Sequence, residues 1–202
     1  MKITAIKQQA KRAGRYSIFI DDKYAFSLSE GALLDAKIVI GQEVSPEQLA
    51  AYKDTSAFDK AYGNTLAYVA RRMRSEWELR EYFRRKEIDE DAGEQILERL
   101  RGFGYVDELR FARNWVDNRR AIKSVSRRRL QLELRQKHVP DDIIRQVLEE
   151  DETTDLDTLK QLVVKKRQQT RYQDDTKLMQ YLARQGYGYD DIRRALQRDE
   201  DS

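Results

Sequence analysis

The fold is decided by the stretch "SRRRLQLELRQKHVPDDIIRQVL", Ser126 to Leu148. It aligns without a gap with "SEWELREYFRRKEIDEDAGEQIL", Ser75 to Leu97, and the apolar residues fall at the same positions in both. A third copy, "TKLMQYLARQGYGYDDIRRAL", Thr176 to Leu196, repeats those positions. Apolar residues spaced three and four apart indicate amphipathic helices. Each copy therefore predicts two helices joined by a short turn.

Another helical run precedes each copy. These runs lie around Ala67 to Met73, Phe111 to Arg120 and Leu159 to Lys166. One run and one copy make a unit of about fifty residues, which buries little unless it stacks on its neighbours. We therefore predict a mainly α protein of three tandem three-helix repeats, here called modules, in an elongated curved arrangement.

The N-terminal residues have a different pattern. "RYSIFI" and "KYAFSL" are β-prone runs joined at Asp21 and Asp22, and "KIVIGQEV" is a third such run that ends before Ser45. "SPEQ", Ser45 to Gln48, has the cap and proline of a helix start, and a short helix is expected at Ser29 to Ala36. We predict a small antiparallel sheet in a β-rich extension over residues 1–55, then modules over 56–106, 107–152 and 153–202.

Composition restricts the class of protein. The 202 residues include 39 basic and 36 acidic side chains, a net charge of +3, and no cysteine, which excludes disulfides and thiolate chemistry. No window approaches the roughly 18 apolar residues of a membrane span, and the N-terminus lacks the apolar core of a signal peptide. We expect a cytoplasmic protein, monomeric and without a membrane partner.

Charge is segregated along the modules. Residues 119–137 carry eight basic and one acidic side chain, and residues 160–171 carry five basic and none acidic, whereas residues 87–98 carry six acidic and none basic. Basic segments thus recur at one place in each module, which favours a polyanionic partner, although basic and acidic helices could also neutralise each other. The candidate binding residues are Arg71, Arg72, Arg74, Arg84, Arg85, Lys86, Arg119, Arg120, Lys123, Arg127, Arg128, Arg129, Lys165, Lys166 and Arg167.

Three of these arginines are placed against the helix dipole. Arg127, Arg128 and Arg129 follow Ser126, a predicted N-cap, so they occupy a first turn. The dipole disfavours each cation there by about 0.3–1 kcal/mol. An anionic partner, either phosphate or an acidic protein, explains this placement better than folding does.

Catalytic motifs are absent from the sequence. His138 is the only histidine and aligns with Gly186 and Glu87 where a helix ends, so we interpret it as a turn residue. No phosphate loop or dinucleotide fingerprint occurs. The abundant carboxylates leave a metal-dependent nuclease as an alternative. We expect no enzymatic activity, no cofactor and no bound metal.

Four segments resemble the successive motifs of the RecX family of bacterial RecA regulators. They are "RSEWELREYFRRK", "GFGYVDELRFARNWVDNR", "RRRLQLELRQK" and "YLARQGYGYDDIRRAL", and the resemblance covers about residues 60–198. It departs from the family at Glu87 and His138, where a glycine is usual, and at Gln185 to Tyr187.

The resemblance implies a non-enzymatic modulator, expected to be an inhibitor, that lies in the groove of the RecA nucleoprotein filament. There it would alter ATP hydrolysis, strand exchange and co-protease activity, and bind single- and double-stranded DNA more weakly. The alternative is a general nucleic-acid-binding helical-repeat protein without a recombinase partner.

Overall fold

The computed structural model describes residues 1–197, so residues 198–202 of the third predicted module lie outside the described part. The chain divides into two compact units, Met1–Arg72 with Phe83–Gly102, and Met73–Tyr82 with Phe103–Ser202. Over the described residues it forms three strands and ten α-helices. The prediction of a mainly α protein with a β-rich N-terminal extension is confirmed.

The N-terminal sheet is antiparallel, with strands β1 (Ile3–Gln8), β2 (Arg15–Ile20) and β3 (Lys23–Ser29) in chain order. β2 and β3 form the predicted hairpin, whose turn residues Asp21 and Asp22 have φ of 46° and 61°. Two left-handed residues suit a two-residue hairpin, because that turn matches the twist of the strands.

The third strand was predicted in the wrong place. Residues 37–44 form no strand: they bond to Ile3 of β1 through Gly41 and Gln42 and make one isolated bridge, Lys2 to Glu43. Positive φ values at Lys37 (50°) and Gly41 (93°) interrupt the extended conformation that this apolar run favours. The third strand is instead β1, whose mixed sequence ITAIKQ has a weaker β signal.

The predicted helix starts in this unit are confirmed. Helix α1 (Glu30–Asp35) is capped by Ser29, and α2 (Pro46–Val69) begins with a capping box formed by Ser45 and Gln48. α2 ends at Val69, so the helical run predicted around Ala67 to Met73 stops earlier than expected. The same helix runs without a break through residues 55 and 56, where the predicted extension meets the first predicted module.

The remaining helices follow the repeat. Each copy gives two helices, and a longer helix precedes the second and third copies, as predicted. Their bounds are α3 (Glu76–Arg85), α4 (Glu90–Gly102), α5 (Glu108–Ile122), α6 (Arg127–Gln136), α7 (Asp141–Glu150), α8 (Asp155–Arg167), α9 (Asp175–Arg184) and α10 (Tyr189–Leu196), with a 3₁₀ turn at Thr170–Tyr172.

The turn inside each copy has the same left-handed residue. Glu87, His138 and Gly186 have φ of 52°, 55° and 90°. In each, the amide three residues after the last helical residue donates to the carbonyl five residues before it, for example Val139 to Leu134 at 3.2 Å. This is the usual way to satisfy the last carbonyls of a helix. The interpretation of His138 as a turn residue is confirmed.

Each module of the second unit has its own apolar core. The aromatic rings of Phe111 and Tyr187 are buried there. The core of the second module includes Phe111, Val116, Leu130, Leu134, Val139, Ile144, Val147 and Leu148, and that of the third includes Leu159, Leu162, Val163, Leu178, Leu182, Tyr187 and Ile192.

Gly186→Ala is expected to lower the free energy of unfolding by about 1–2 kcal/mol, the cost of a left-handed L-residue. A Cβ at Gly186 would also lie 2.8 Å from Ser126 Oγ. Gly63→Ala is the matched control, because Gly63 lies inside α2 with nothing within 4 Å of the added Cβ, and it should be stabilising. Urea unfolding of both variants tests this, and equal effects would contradict it.

Candidate polyanion-binding surface

The first turn of α6 is fixed by three hydrogen bonds within the second unit. Ser126 Oγ accepts from the Arg129 amide at 3.2 Å and donates to the Gln185 carbonyl at 2.9 Å. The Arg127 amide donates to Asp155 Oδ1 at 2.6 Å. The start of α6 therefore lies against the start of α8 and the end of α9.

Two of the three arginines in this turn remain available to a partner. Arg127 and Arg128 are exposed, and their guanidinium groups form no hydrogen bond or ion pair with another described residue. Arg129 differs, because its Nε donates to Glu133 Oε1 at 3.2 Å. The predicted N-cap and the predicted cationic first turn are both confirmed.

Glu133 neutralises part of the basic segment. This buried carboxylate accepts hydrogen bonds from Arg119, Arg129 and Trp115 Nε1. Burial raises its pKa, but the bonds from Arg119, Arg129 and Trp115 outweigh burial and leave the pKa below its usual value. Arg119 is thus held inside the second module by an ionised partner.

Arg120 forms more intramolecular hydrogen bonds than Arg119 does. Its Nε and Nη2 donate to Asp151 Oδ2 at 2.9 and 2.7 Å, and its guanidinium also donates to the carbonyls of Val125 and Thr153. Its side chain is only 10% exposed. Sequence reasoning placed Arg120 toward the partner, whereas its donors are used within the second unit.

The first-module candidates divide in a similar way. Arg71 and Lys86 are exposed and form no ion pair with another described residue. Four others each take part in an intramolecular interaction, namely Arg72, Arg74, Arg84 and Arg85. Arg71 and Lys86 belong to the first unit, whereas the arginines of α6 belong to the second.

The other candidates of the second unit are Lys123 and three residues at the end of α8. Lys123 and Lys165 are exposed, without an ion-pair partner in the described part of the chain. Lys166 lies over the rings of Tyr172 and Tyr181, and Arg167 pairs with Asp175.

Sequence reasoning missed Arg184. It is exposed in the last turn of α9 and directly precedes Gln185, whose carbonyl accepts the bond from Ser126. The sequence contained a signal for Arg184, because the predicted helix of the third copy ends near it, and the dipole favours a basic residue in the last turn of a helix. Its proximity to α6 depends on how the modules stack.

The equivalent position in the first copy is already occupied by intramolecular contacts. Trp77 stacks on His138, with ring centroids 4.6 Å apart and planes 19° apart. Glu78 Oε1 accepts from Lys137 Nζ at 2.9 Å. Because Trp77 and Glu78 stand where α6 has Arg128 and Arg129, the first copy lacks the cationic first turn of the second module.

The start of α9 is acidic. Its N-cap Asp174 accepts from the Lys177 amide at 3.2 Å, and Asp175 is bound by Arg167. Acids are favoured at a helix start, so this turn follows the dipole that α6 opposes.

Glu108→Gln is expected to stabilise the protein at neutral pH. Burial raises the pKa of Glu108 despite the hydrogen bond from the Glu76 amide, and the nearby carboxylates of Glu76, Asp107 and Glu78 raise it further. A carboxyl whose folded pKa is raised makes the protein lose stability as pH rises from its usual value, 4.5, through the folded pKa. Glutamine keeps the acceptor and removes the charge.

The measurement is the urea midpoint of Glu108→Gln and wild type from pH 4 upward. The two should converge in acid and diverge toward neutral pH, with the variant more stable. Glu149→Gln, at an exposed position, is the control. A Glu108→Gln variant that is less stable than wild type at neutral pH would refute the argument.

Two kinds of feature do not occur in the described part of the chain. No group of three or more histidine or carboxylate side chains is arranged to hold a metal ion among residues 1–197. Among the same residues no helix has the length and apolarity that crossing a membrane requires.

Known protein families match the chain along most of its length. The model described as "Regulatory protein RecX N-terminal domain" matches residues 1–45. Models for the first, second and third three-helix domains of RecX match residues 61–100, 107–148 and 153–196. The matched ranges include the N-terminal sheet and all three copies.

Curated relatives named "Regulatory protein RecX" are similar in sequence. The protein of Listeria monocytogenes is 33% identical over 150 residues, 74% of this chain and 56% of that protein. The protein of Bacillus pumilus is 30% identical over 200 residues, 96% of this chain and 76% of that protein. The match thus spans little more than half of the Listeria protein and about three quarters of the Bacillus protein.

Solved structures support the same relationship. A crystal structure of "regulatory protein RecX" superposes with a TM-score of 0.73 at 28% identity and covers 96% of this chain and 98% of that one. RecX from Lactobacillus salivarius, at 20% identity and a TM-score of 0.59, shares the fold over 70% of this chain. The RecX family models match the sheet and the modules in order along the chain, and the curated relatives match it in sequence. These matches establish that this protein belongs to the RecX family.

Proposed function

We propose that the protein regulates the RecA recombinase by binding the RecA–DNA filament and lowering its activity. The observation that carries this is the exposed, unpaired pair Arg127 and Arg128 at the start of α6, in a chain of the RecX family. Folding disfavours cations there, so a polyanionic partner accounts for them. The partner's charge is supplied by DNA phosphates and by RecA carboxylates.

Binding in the groove of the filament would affect several RecA activities at once. A protein that contacts neighbouring protomers and DNA hinders the movements that ATP hydrolysis, strand exchange and co-protease action require. The protein acts as a monomer in the cytoplasm, without catalysis, and binds free single- or double-stranded DNA more weakly than the filament.

Filament pelleting tests the proposal. Preformed RecA filaments on single-stranded DNA are sedimented with the protein, and RecA-free DNA of the same length is the control. We expect the protein to sediment with filaments at concentrations where naked DNA retains little of it. Equal retention by both would favour the alternative, a general nucleic-acid-binding protein.

A nuclease is tested in the same samples. Incubating labelled DNA with the protein and magnesium should leave the DNA at full length. Cleavage that increases with protein concentration would replace the proposed regulator with an enzyme.

A further inference from the structure

Two tyrosines of the third module lie outside the surface described above. Tyr172 ends the 3₁₀ turn and Tyr181 lies on α9, with ring centroids 5.0 Å apart and planes 49° apart. Both rings are half-buried and pack against the core of the module. The two rings therefore lie side by side and are only partly covered by the rest of the module.

Cations surround this aromatic pair. Lys166 Nζ lies 4.7 Å from the Tyr181 ring and 5.4 Å from the Tyr172 ring, and the Arg171 guanidinium lies 5.6 Å from Tyr172. One turn after Tyr181, Arg184 is exposed on the same helix.

The neighbouring carboxylates do not cancel this charge. Asp175 is bound by Arg167, and Asp174 lies 3.9 Å from Lys177. Lys166 and Arg171 contact rings and form no ion pair with a described residue. The tyrosine pair therefore has an excess of positive charge around it.

We propose that Tyr172 and Tyr181, with Lys166, form a stacking site for the unpaired bases of a single-stranded nucleic acid. Aromatic side chains next to a cationic groove bind single strands, because each base offers a π face and each nucleotide a phosphate. The long lysine stem lets the Lys166 ammonium move from the rings to a phosphate as a base stacks.

The chemistry distinguishes a single strand from other partners. In a duplex the base faces are stacked on each other and are inaccessible to a side chain. An acidic protein surface would be bound by the cations alone, and the tyrosine rings would contribute little. The inference extends the proposed function, since it assigns the strand inside the filament as the ligand of the third module, yet naked DNA tests it separately.

The test is the affinity of labelled oligothymidylate, measured by fluorescence anisotropy. Tyr181→Leu keeps apolar bulk against the core and removes the ring, so it should weaken binding about tenfold, as should Tyr172→Leu. Tyr181→Phe keeps the ring and should bind like wild type. Tyr189→Leu, at a 64% exposed tyrosine of α10, is the matched control and should change nothing.

An abasic oligonucleotide of equal length separates stacking from charge. It has the same phosphates without bases, so wild type and Tyr181→Leu should bind it equally and weakly. Equal oligothymidylate affinity for wild type and both leucine variants would overturn the proposal, as would an equal loss on the abasic strand.

The outcomes also separate this site from RecA regulation. If the leucine variants keep oligothymidylate affinity and lose only filament binding, the tyrosines contact protein and the proposal is wrong. If wild type shows the predicted base-dependent binding but no preference for filaments, the stacking site stands and the proposed function fails.

Discussion

Replacing Arg120 by methionine is expected to lower the free energy of unfolding by about 3–5 kcal/mol. The change leaves Asp151, whose side chain is 9% exposed, as an uncompensated buried carboxylate. It also leaves the carbonyls of Val125 and Thr153 without the guanidinium donor. Methionine fills similar space, so the loss reports the charge and the hydrogen bonds rather than a cavity.

Arg113→Met is the matched control for this prediction. Arg113 also forms two hydrogen bonds to one carboxylate, that of Glu150, at 2.8 and 2.9 Å, but both side chains are largely exposed. Exposed pairs contribute little, because water solvates both partners when the pair is broken. Urea unfolding that gives similar losses for Arg120→Met and Arg113→Met would contradict the structural role of Arg120.

The double variant Arg127→Glu with Arg128→Glu is expected to weaken binding to RecA filaments about 100-fold, about tenfold for each reversed charge. Glutamates in the first turn of α6 favour the helix dipole that the arginines oppose, whereas a glutamate at position 127 repels Asp155, whose charged form Arg127 now favours. The two effects oppose each other, so the free energy of unfolding should change by less than about 1 kcal/mol, and lost binding is then not a consequence of unfolding.

Filament pelleting and urea unfolding of the same preparations check this pair of effects. Lys53→Glu with Lys60→Glu makes the same change in net charge at exposed positions of α2 and should leave filament binding nearly unchanged. A double arginine variant that binds like wild type, or no more weakly than this control, would remove α6 from the binding surface.

Much of the fold was predictable because the relevant signals are local. The positions of the helices follow from apolar spacing, and the left-handed turn at His138 follows from its alignment with Gly186. The caps at Ser45 and Ser126 are read from residues three positions apart. Such features depend on neighbours within one or two turns, and the structure confirms them.

The sheet was less predictable. The apolar run at 37–44 has a stronger β signal than the true strand β1. Whether a run becomes a strand depends on pairing with residues distant in sequence, here the pairing of Ile3–Gln8 with β2.

The pairing of charges could not be read from the sequence. Arg120 and Asp151 are 31 residues apart, and Lys137 and Glu78 are 59 apart. Counting basic residues within a segment treats Arg120 and Arg128 alike, yet one is buried against a carboxylate and the other is exposed. Only the tertiary packing of the helices decides between these outcomes.

RecA's DNA-dependent ATP hydrolysis is the most direct test of the central claim. Preformed filaments on single-stranded DNA are mixed with substoichiometric amounts of the protein, and phosphate release is followed. The account predicts that the rate falls with wild type and stays near its starting value with the double glutamate variant at α6. An unchanged rate with wild type, at concentrations where it sediments with the filaments, would contradict the account.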